Sequence, residues 1–303
     1  MHMLVSGLIN IETTLRVDGF PLAYEPVRYP FFGINSTVSG VGYNIAKALT
    51  FLGEPVTFLS LIGQDAAGWL VRDALAADGI NDAYVRADMP ATAQSLIIYD
   101  PNGRRQIHTD LKDIQERVFP QALFDKALSG AALAVLCNVN YNRPFLAQAR
   151  DAGVPIATDV HTIGDLNDPY NSDFMAAADI LFLSDEALPA DPQYVIRQLQ
   201  ARYNNSIIVI GLGAEGALLA VRGDSRLRRV NAVQTRPVVN SIGAGDALFS
   251  SFLHAYRQDG DPFLALRQAV VFASYKIGAT GAAEGFLSAE ELSQLAETVY
   301  ARD

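Results

Sequence analysis

Hydrophobic residues along the chain recur in two patterns that alternate with each other. Residues 56–62 form a short, almost wholly apolar run, which predicts a strand buried on both faces. Residues 45–52 are apolar at helical spacing, and Gly53 and Pro55 end that helix. The alternation continues and predicts a parallel sheet covered by helices on both faces. The other predicted strands are 132–136, 155–160, 180–183 and 207–210, with helices at 143–152, 174–178 and 192–202. Asp191-Pro192 predicts the N-cap and first position of the last of these helices, and Asp261-Pro262 predicts the same for a later helix.

Two stretches interrupt this alternation and predict a small accessory β-sheet. Residues 16–33 are rich in Pro, Gly and aromatics and lack a helical period, and residues 84–110 contain two β-like runs around the turn Asp100-Pro101-Asn102-Gly103. We expect inserted lid strands at about 16–35 and 84–110, which could close over a site and exclude water. The alternative is a pair of surface hairpins without that role.

The composition excludes several classes of function. Of 303 residues 50% are hydrophobic, and the net charge is −10 without any block of Lys or Arg. This argues against a nucleic-acid or anionic-membrane surface. The single cysteine, Cys137, rules out an internal disulfide and fits a reducing compartment. The first residues show neither a basic region nor a long apolar run, so we expect a cytoplasmic protein without a signal peptide.

The run Asn240-Ser241-Ile242-Gly243-Ala244-Gly245-Asp246 is followed at once by an apolar helical stretch. Helix N-termini present free N–H groups to anions, and glycines let a phosphate approach the backbone closely. Asp246 would then lie where it can take a proton from a hydroxyl that attacks the phosphate. The alternative is a glycine-rich turn that caps an ordinary helix.

Polar residues also follow the apolar runs, where parallel strands would end. Such ends meet at one edge of a sheet and predict a common ligand crevice. The glycines of Ser39-Gly40-Val41-Gly42-Tyr43-Asn44 precede a predicted helix. Asn44 offers a donor and an acceptor to a polyhydroxyl ligand, unless it merely lies near the helix cap. The strand-end residues are Asn10, Glu12, Asn138, Asn140, Asn142, Asp159 and His161.

The segment Gly211-Leu212-Gly213-Ala214-Glu215-Gly216 matches the dinucleotide-binding fingerprint as a string. That fingerprint requires a helix next. Residues 217–221 are strand-like instead, and the turn at 222–225 leads to a second strand. The pattern therefore predicts a hairpin and argues against a nicotinamide site, although the loop could still contact nucleotide phosphates.

Two motifs resemble those of the ribokinase-like sugar kinases, the PfkB family. One is Gly40-x-Gly42-x-Asn44-x-Ala46, and the other is Asn240-Ser241-x-Gly243-Ala244-Gly245-Asp246. The resemblance spans nearly the whole chain. It implies one ribokinase-like domain over residues 1–303, a three-layer α/β/α fold with a mostly parallel sheet and a β lid. It also implies phosphorylation of a hydroxymethyl group with ATP and Mg²⁺.

The resemblance also implies roles for individual residues. Asp246 resembles the family's base, and Gly243, Ala244 and Gly245 resemble the amides around the transferring phosphate. Together with Asn138 and Asn140, which are expected from their places after a strand, the expected substrate contacts are Asn10, Glu12, Gly40, Gly42, Asn44 and Asp246. The expected nucleotide contacts are Ser184, Gly211, Gly213, Gly216, Ser241, Gly243, Gly245, Ala273 and Ile277.

The chain departs from the family pattern at Ser39, where Gly or Ala is preferred, at Glu12, which replaces a common Asp, and at two places that bear on metal ions. Asn240-Ser241 stands where Asp-Thr is usual, which leaves open whether a monovalent cation binds there. Ser184-Asp185-Glu186-Ala187 replaces the expected Asn-x-x-Glu, and we expect Asp185 or Glu186 to take over the indirect role toward the metal.

Three interpretations remain open from the sequence. The first is a sugar kinase, the second a nucleoside kinase of the same fold with Tyr99, Phe31 and Phe32 against a base, and the third a catalytically weak sugar-binding protein. The expected partners are therefore a sugar or nucleoside and ATP. A homodimer through the lid is a further expectation.

Overall fold

The computed structural model describes residues 1–301, so the last two residues of the expected domain 1–303 lie outside the described residues. In residues 1–301 the chain forms one sheet of nine strands and a second sheet of four. The strands are His2–Ser6 (β1), Asn10–Arg16 (β2), Ile34–Ser39 (β3), Val56–Gly63 (β4), Tyr84–Met89 (β5), Gln94–Tyr99 (β6), Arg105–Asp110 (β7), Ala131–Leu136 (β8), Ile156–Asp159 (β9), Ile180–Ser184 (β10), Ile207–Gly211 (β11), Ala217–Val221 (β12) and Arg228–Val230 (β13).

The large sheet has the spatial order β13-β12-β11-β10-β9-β8-β1-β4-β5. Neighbours from β5 to β11 pair in parallel, whereas β12 and β13 form an antiparallel hairpin at one edge. Both the mostly parallel sheet and the hairpin after Gly216 are thus confirmed. The helices are Val41–Phe51 (α1), Ala66–Ala77 (α2), Gln121–Leu128 (α3), Arg143–Asp151 (α4), Ser172–Ala177 (α5), Pro192–Arg202 (α6), Ala244–Asp259 (α7), Pro262–Lys276 (α8) and Ala289–Tyr300 (α9).

Alternate residues of the central strands pack on opposite faces of the large sheet. Met3 and Val5 of β1 belong to the core cluster under α1, α2, α7 and α8, whereas Leu4 belongs to the cluster under α3 to α6. A strand points successive side chains to opposite faces, so a strand covered on both sides must be apolar at each position. This requirement explains why the apolar runs located the strands correctly.

The four-stranded lid sheet has the order β3-β2-β6-β7. Its strands differ from the expected insertions at 16–35 and 84–110. Residues 17–33 form the irregular connection between β2 and β3, and Tyr84–Met89 is the edge strand of the large sheet, paired with β4. The apolar run of residues 4–9 is longer than the strand it contains. The chain leaves the large sheet after Ser6 and enters the lid at Asn10.

The predicted helix starts are confirmed by their caps. The side chain of Asp191 accepts hydrogen bonds from the backbone N–H groups of Gln193 and Tyr194, and Asp261 does the same for Phe263 and Leu264. Cys137 is buried and free, as expected for a core residue. Among the helices of residues 1–301, none has the length and apolar character that crossing a bilayer requires.

Candidate active site

The first turn of α7 presents free backbone donors beside Asp246. Gly243 precedes this helix with φ 73°, and a β-carbon at that position would lie 2.5 Å from the Ala282 carbonyl oxygen. Only glycine fits such a left-handed, closely packed position without strain. Within residues 1–301, the N–H groups of Gly243 and Gly245 have no hydrogen-bond acceptor in the protein. This turn can therefore donate to an anion.

Asp246 belongs to a buried chain of polar side chains that links the large domain to the lid. The Asn44 amide donates to Asp246 Oδ2 at 2.7 Å. Ser39 Oγ lies 3.2 Å from Asn44 Oδ1 and 3.1 Å from Glu12 Oε2, so its hydroxyl can donate to either oxygen. The hydrogen bond between Asn44 and Asp246 joins residues that are 202 positions apart in the chain. The two sequence motifs thus meet at this point.

Burial raises the pKa of Asp246 above its ordinary value. The positive charge of a protonated His161 and the hydrogen bond from Asn44 act in the opposite direction, and the neighbouring Asp159 raises the pKa further. A carboxylate with a raised pKa is a stronger base at neutral pH, which suits proton abstraction from an alcohol.

Asp159 and His161 approach Asp246 from the end of β9. Their ligand atoms and those of Asp246 all lie within 4.8 Å of one another, so the three side chains could share one cation. Imidazole is not a preferred ligand for Mg²⁺, so these three side chains are a poor match for that ion. The sequence indicated both residues as strand-end polar groups, but only the tertiary structure brings them to the base.

Two buried oxygens on the lid lack a protein partner within the described residues: Asn10 Oδ1 and Glu12 Oε1. The Asn10 amide donates to Ser95 Oγ at 3.1 Å, which fixes its orientation. Burial raises the pKa of Glu12, although the hydrogen bond from Ser39 opposes this. Unpaired buried acceptors are costly, so these two oxygens suit the hydroxyl groups of a bound ligand.

The glycines of the α1 entrance serve close packing. Gly40 has φ 106°, and a β-carbon there would lie 2.7 Å from the Leu8 carbonyl oxygen. A β-carbon at Gly42 would lie 2.5 Å from the Gly7 backbone. The structure therefore packs Gly42 against the segment that follows β1, and this contact brings Asn44 to Asp246.

Asn138 and Asn140 lie in a different environment from the one expected. Strand β8 ends at Leu136, and residues 140–142 form a 3₁₀ turn. The directions of these two side chains therefore do not follow the alternation of a strand. The Asn138 amide donates to Asn171 Oδ1 at 2.9 Å, and the Asn140 amide donates to the Gln115 carbonyl at 3.0 Å. Neither side chain joins the hydrogen-bonded chain from Asp246 to Glu12.

The expected nucleotide residues lie at the ends of β10 and β11 and at the ends of α7 and α8. Gly216 has φ 98°, and a β-carbon there would lie 2.0 Å from the Val230 carbonyl oxygen, so this glycine shapes the β12–β13 hairpin. The Ile277 carbonyl accepts hydrogen bonds from the backbone N–H groups of Val239 and Asn240. These bonds connect the end of α8 to residues 240–246, the candidate anion-binding turn. Gly243 and Gly245 belong to the turn described above, and the other members of the set are Ser184, Gly211, Gly213, Ser241 and Ala273.

An acidic group near the end of β10 could hold a metal ion. Burial raises the pKa of Asp185, and the negative charges of Glu215 and Glu186 raise it further. Such mutual repulsion is relieved by a cation, and Mg²⁺ binds through one or two carboxylates with water and phosphate oxygens as its other ligands. Asp185 fits this role, because no salt bridge engages it within the described residues, whereas Glu186 pairs with Arg105 and Glu215 pairs with Arg229.

Two cationic residues near the turn were missed by sequence reasoning. Arg105 of the lid donates to Ser241 Oγ at 2.7 Å and pairs with Glu186 at 3.1 Å. Lys276 is fully buried and donates to the carbonyl of Ile242. A lone lysine that ends an apolar helix was a detectable signal, whereas nothing near Arg105 in the sequence indicated its contact.

Comparison with known proteins identifies the family of this chain. The family model described as pfkB family carbohydrate kinase matches residues 2–289. The chain is 28% identical over 276 residues to acarbose 7(IV)-phosphotransferase of Actinoplanes sp., covering 90% of this chain and 91% of that protein. It is 26% identical over 288 residues to ATP-dependent ribose-1-phosphate kinase of Halopiger xanaduensis, covering 93% and 94%.

A solved structure shows the same fold over nearly the whole chain. The microbiome-derived acarbose kinase Mak1 superposes with a TM-score of 0.88 at 29% identity, covering 97% of this chain and 98% of that one. A match of this extent, together with the family model, leaves one assignment. The chain belongs to the pfkB family of carbohydrate kinases, which phosphorylate sugars with ATP.

Proposed function

We propose that this kinase transfers the γ-phosphoryl group of ATP to a primary hydroxyl of a sugar or sugar-like substrate. The observation that carries the proposal is the position of Asp246. Its carboxylate is buried, accepts a hydrogen bond from Asn44 at 2.7 Å, and lies on the first turn of the helix that presents free amides. Base and anion-binding amides are thus adjacent, as in-line phosphoryl transfer requires.

In the proposed reaction Asp246 accepts the proton of the attacking hydroxyl. The N–H groups of Gly243 and Gly245 donate to the oxygens of the transferring phosphoryl group, where negative charge is concentrated. Asp185 and Glu186 would hold Mg²⁺ through water, and the ion neutralises phosphate charge when bound. Arg105 adds a positive charge from the lid at Ser241.

The lid reads the substrate in this proposal. Asn10 and Glu12 offer their buried, unpaired oxygens to sugar hydroxyls, and Asn44 holds the base in place. The nucleoside alternative has less support, because Phe31 and Phe32 are 84% and 107% exposed. A polyhydroxyl ligand matches the donors and acceptors better than a planar base does.

The test is a screen for ADP release over sugars, oligosaccharides and nucleosides with ATP and Mg²⁺. We expect turnover with at least one sugar, and ³¹P NMR of the product should show a phosphate coupled to a CH₂ group. Phosphorylation of a ring hydroxyl would contradict the primary-alcohol assignment. Turnover with nucleosides alone would contradict the sugar assignment and identify the substrate as a nucleoside.

We further propose a cytoplasmic homodimer that forms through the outer face of the lid. Asn10 and Glu12 face the site, so the alternate residues of the lid strands face outward. Among these, Ile34 is 59% exposed and Leu96 is 38% exposed. Light scattering on the wild type and Leu96→Glu tests the dimer: a mass near twice 32.7 kDa should fall to the monomer value in the variant.

A further inference from the structure

Lys276 is an unusual residue because its ammonium group is buried beside the start of α7. Lys276 is the last residue of α8, and it is 0% exposed. Its ammonium group donates a hydrogen bond to the carbonyl of Ile242. Ile242 is the residue directly before Gly243. A buried lysine is costly unless its charge is compensated, so its position requires an explanation.

Charged groups from several elements face this ammonium. They are Asp246 of α7, Glu12 of β2, Glu284 of the segment before α9, and Arg236 of the segment before α7. Burial lowers the pKa of Lys276 to about 8, against the opposing effect of the three carboxylates. The group therefore carries its charge at neutral pH and loses it as the pH rises through about 8.

The hydrogen bond from Lys276 acts on the peptide unit that forms the anion-binding turn. The Ile242 carbonyl and the Gly243 N–H belong to one peptide group, and in a planar trans peptide these two bonds point in opposite directions. A cation held on the carbonyl therefore fixes the N–H toward the other side and strengthens it as a donor. Within the described residues that N–H has no acceptor, so it is free for a ligand.

The neighbouring Asn240 supports this interpretation. Its amide donates to the Thr280 carbonyl at 2.7 Å and its oxygen accepts from the Ile242 N–H at 3.0 Å. An amide closes the loop without a negative charge, and it uses a donor where a metal site would need an acceptor. The cation that contacts the backbone carbonyl of this loop is thus the Lys276 ammonium.

We propose that Lys276 is a positioning residue that serves as a built-in monovalent cation for the anion-binding turn, so that the enzyme needs no bound K⁺ or Na⁺. This inference rests on the proposed kinase function and deepens it. The tethered ammonium holds the Ile242 carbonyl as an alkali ion would, and it orients the Gly243 amide toward the transferring phosphate. It does not touch the substrate in this scheme.

The first test compares wild-type turnover in choline chloride and in KCl at equal ionic strength. We expect kcat to agree within about twofold, since losing a single oriented donor would cost roughly 10²-fold. We also expect kcat to fall as the pH rises above about 8, where Lys276 becomes neutral. A tenfold or larger activation by K⁺ would overturn the proposal.

The second test uses Lys276→Ala and Lys276→Met, with Lys47→Met as a control on α1, where Lys47 pairs with Asp78 at 3.0 Å. In choline buffer the two Lys276 variants should lose roughly 10²-fold in kcat while the sugar KM changes little. Ammonium, methylammonium or K⁺ should restore part of the rate in Lys276→Ala. Full turnover without these cations, or a folded variant that none of them rescues, would contradict the proposal.

A third measurement does not depend on kinase activity. Ammonium or K⁺ should raise the Tm of Lys276→Ala above its value in choline, whereas the wild type and Lys47→Met should show no such difference. A wild type that phosphorylates no substrate would refute the proposed function, and the Tm comparison would still decide the role of Lys276. If both Lys276 variants fail to fold, the salt and pH dependence of the wild type decides alone.

Discussion

The large sheet and the lid sheet are stabilised by different forces. The central strands of the large sheet are buried on both faces, and Phe182 of β10 packs against Phe249 and Phe252 with ring centroids 4.9 and 5.1 Å apart. The lid buries polar side chains on its inner face, among them Asn10 and Glu12. In the proposed reaction the large domain would therefore supply a rigid base and anion-binding turn, whereas the lid would supply hydrogen bonds to the ligand.

The largest expected effect is on the stability of the large domain. Phe182→Ala removes a ring that is 2% exposed and should lower the free energy of unfolding by about 3–5 kcal/mol. Ile107→Ala on the lid is the matched change, and because Ile107 is 52% exposed it should change that free energy by less than about 0.5 kcal/mol. Urea denaturation measures both. Equal losses would refute the contrast between the two sheets.

The next effect concerns the base. Asp246→Asn should lower kcat by roughly 10²-fold or more, because the amide cannot accept the proton, while the fold stays intact. Asp151→Asn, on the exposed surface of α4, is the control and should keep wild-type turnover. Steady-state kinetics and circular dichroism give both readouts. Unchanged turnover of Asp246→Asn would remove this residue from the mechanism.

A smaller effect is expected at the acidic group. Replacing Asp185 and Glu186 together by Asn and Gln should raise the Mg²⁺ concentration for half-maximal rate about 10-fold, since both are expected to orient metal-bound water. Sugar KM should stay nearly constant. Glu297→Gln on α9 serves as the control for loss of a surface carboxylate. If the Mg²⁺ dependence does not move, the two residues belong to a solvated loop only.

The smallest effect is expected for the contact between lid and turn. Arg105→Gln should leave Tm nearly unchanged, because exposed ion pairs contribute about 0–1 kcal/mol. The KM for ATP should rise only about threefold, because the variant loses one charge beside Ser241 and an exposed ion pair contributes at most about 1 kcal/mol to binding. Arg86→Gln, whose partner Asp88 lies outside the site, is the control.

Closure of the lid can be measured on the same variants. Hydrogen exchange in β6 and β7 should slow when sugar and nucleotide bind together to the wild type, and it should slow less in Arg105→Gln. Exchange that is identical with and without ligands would count against a mobile lid and would leave the two sheets as one rigid unit.

Local sequence determined the elements of the large domain and the chemistry of its turn. Apolar runs located the buried strands because both faces of those strands are covered, and Asp191 and Asp261 marked helix starts because a carboxylate can accept from free N–H groups. The run from Asn240 to Asp246 located the start of α7 for the same reason, and its role as an anion-binding turn with a base stays a prediction.

The tertiary structure alone decided what depends on distant residues. β2 combines polar and apolar positions, so its place in the lid followed only from its pairing with β3 and β6. His161, Arg105 and Lys276 reach the turn from the segment after β9, from β7 and from α8, whereas the Asn138 amide donates to Asn171. Side-chain direction at the end of a strand or helix is set by packing between elements, and a local pattern carries no information about that packing.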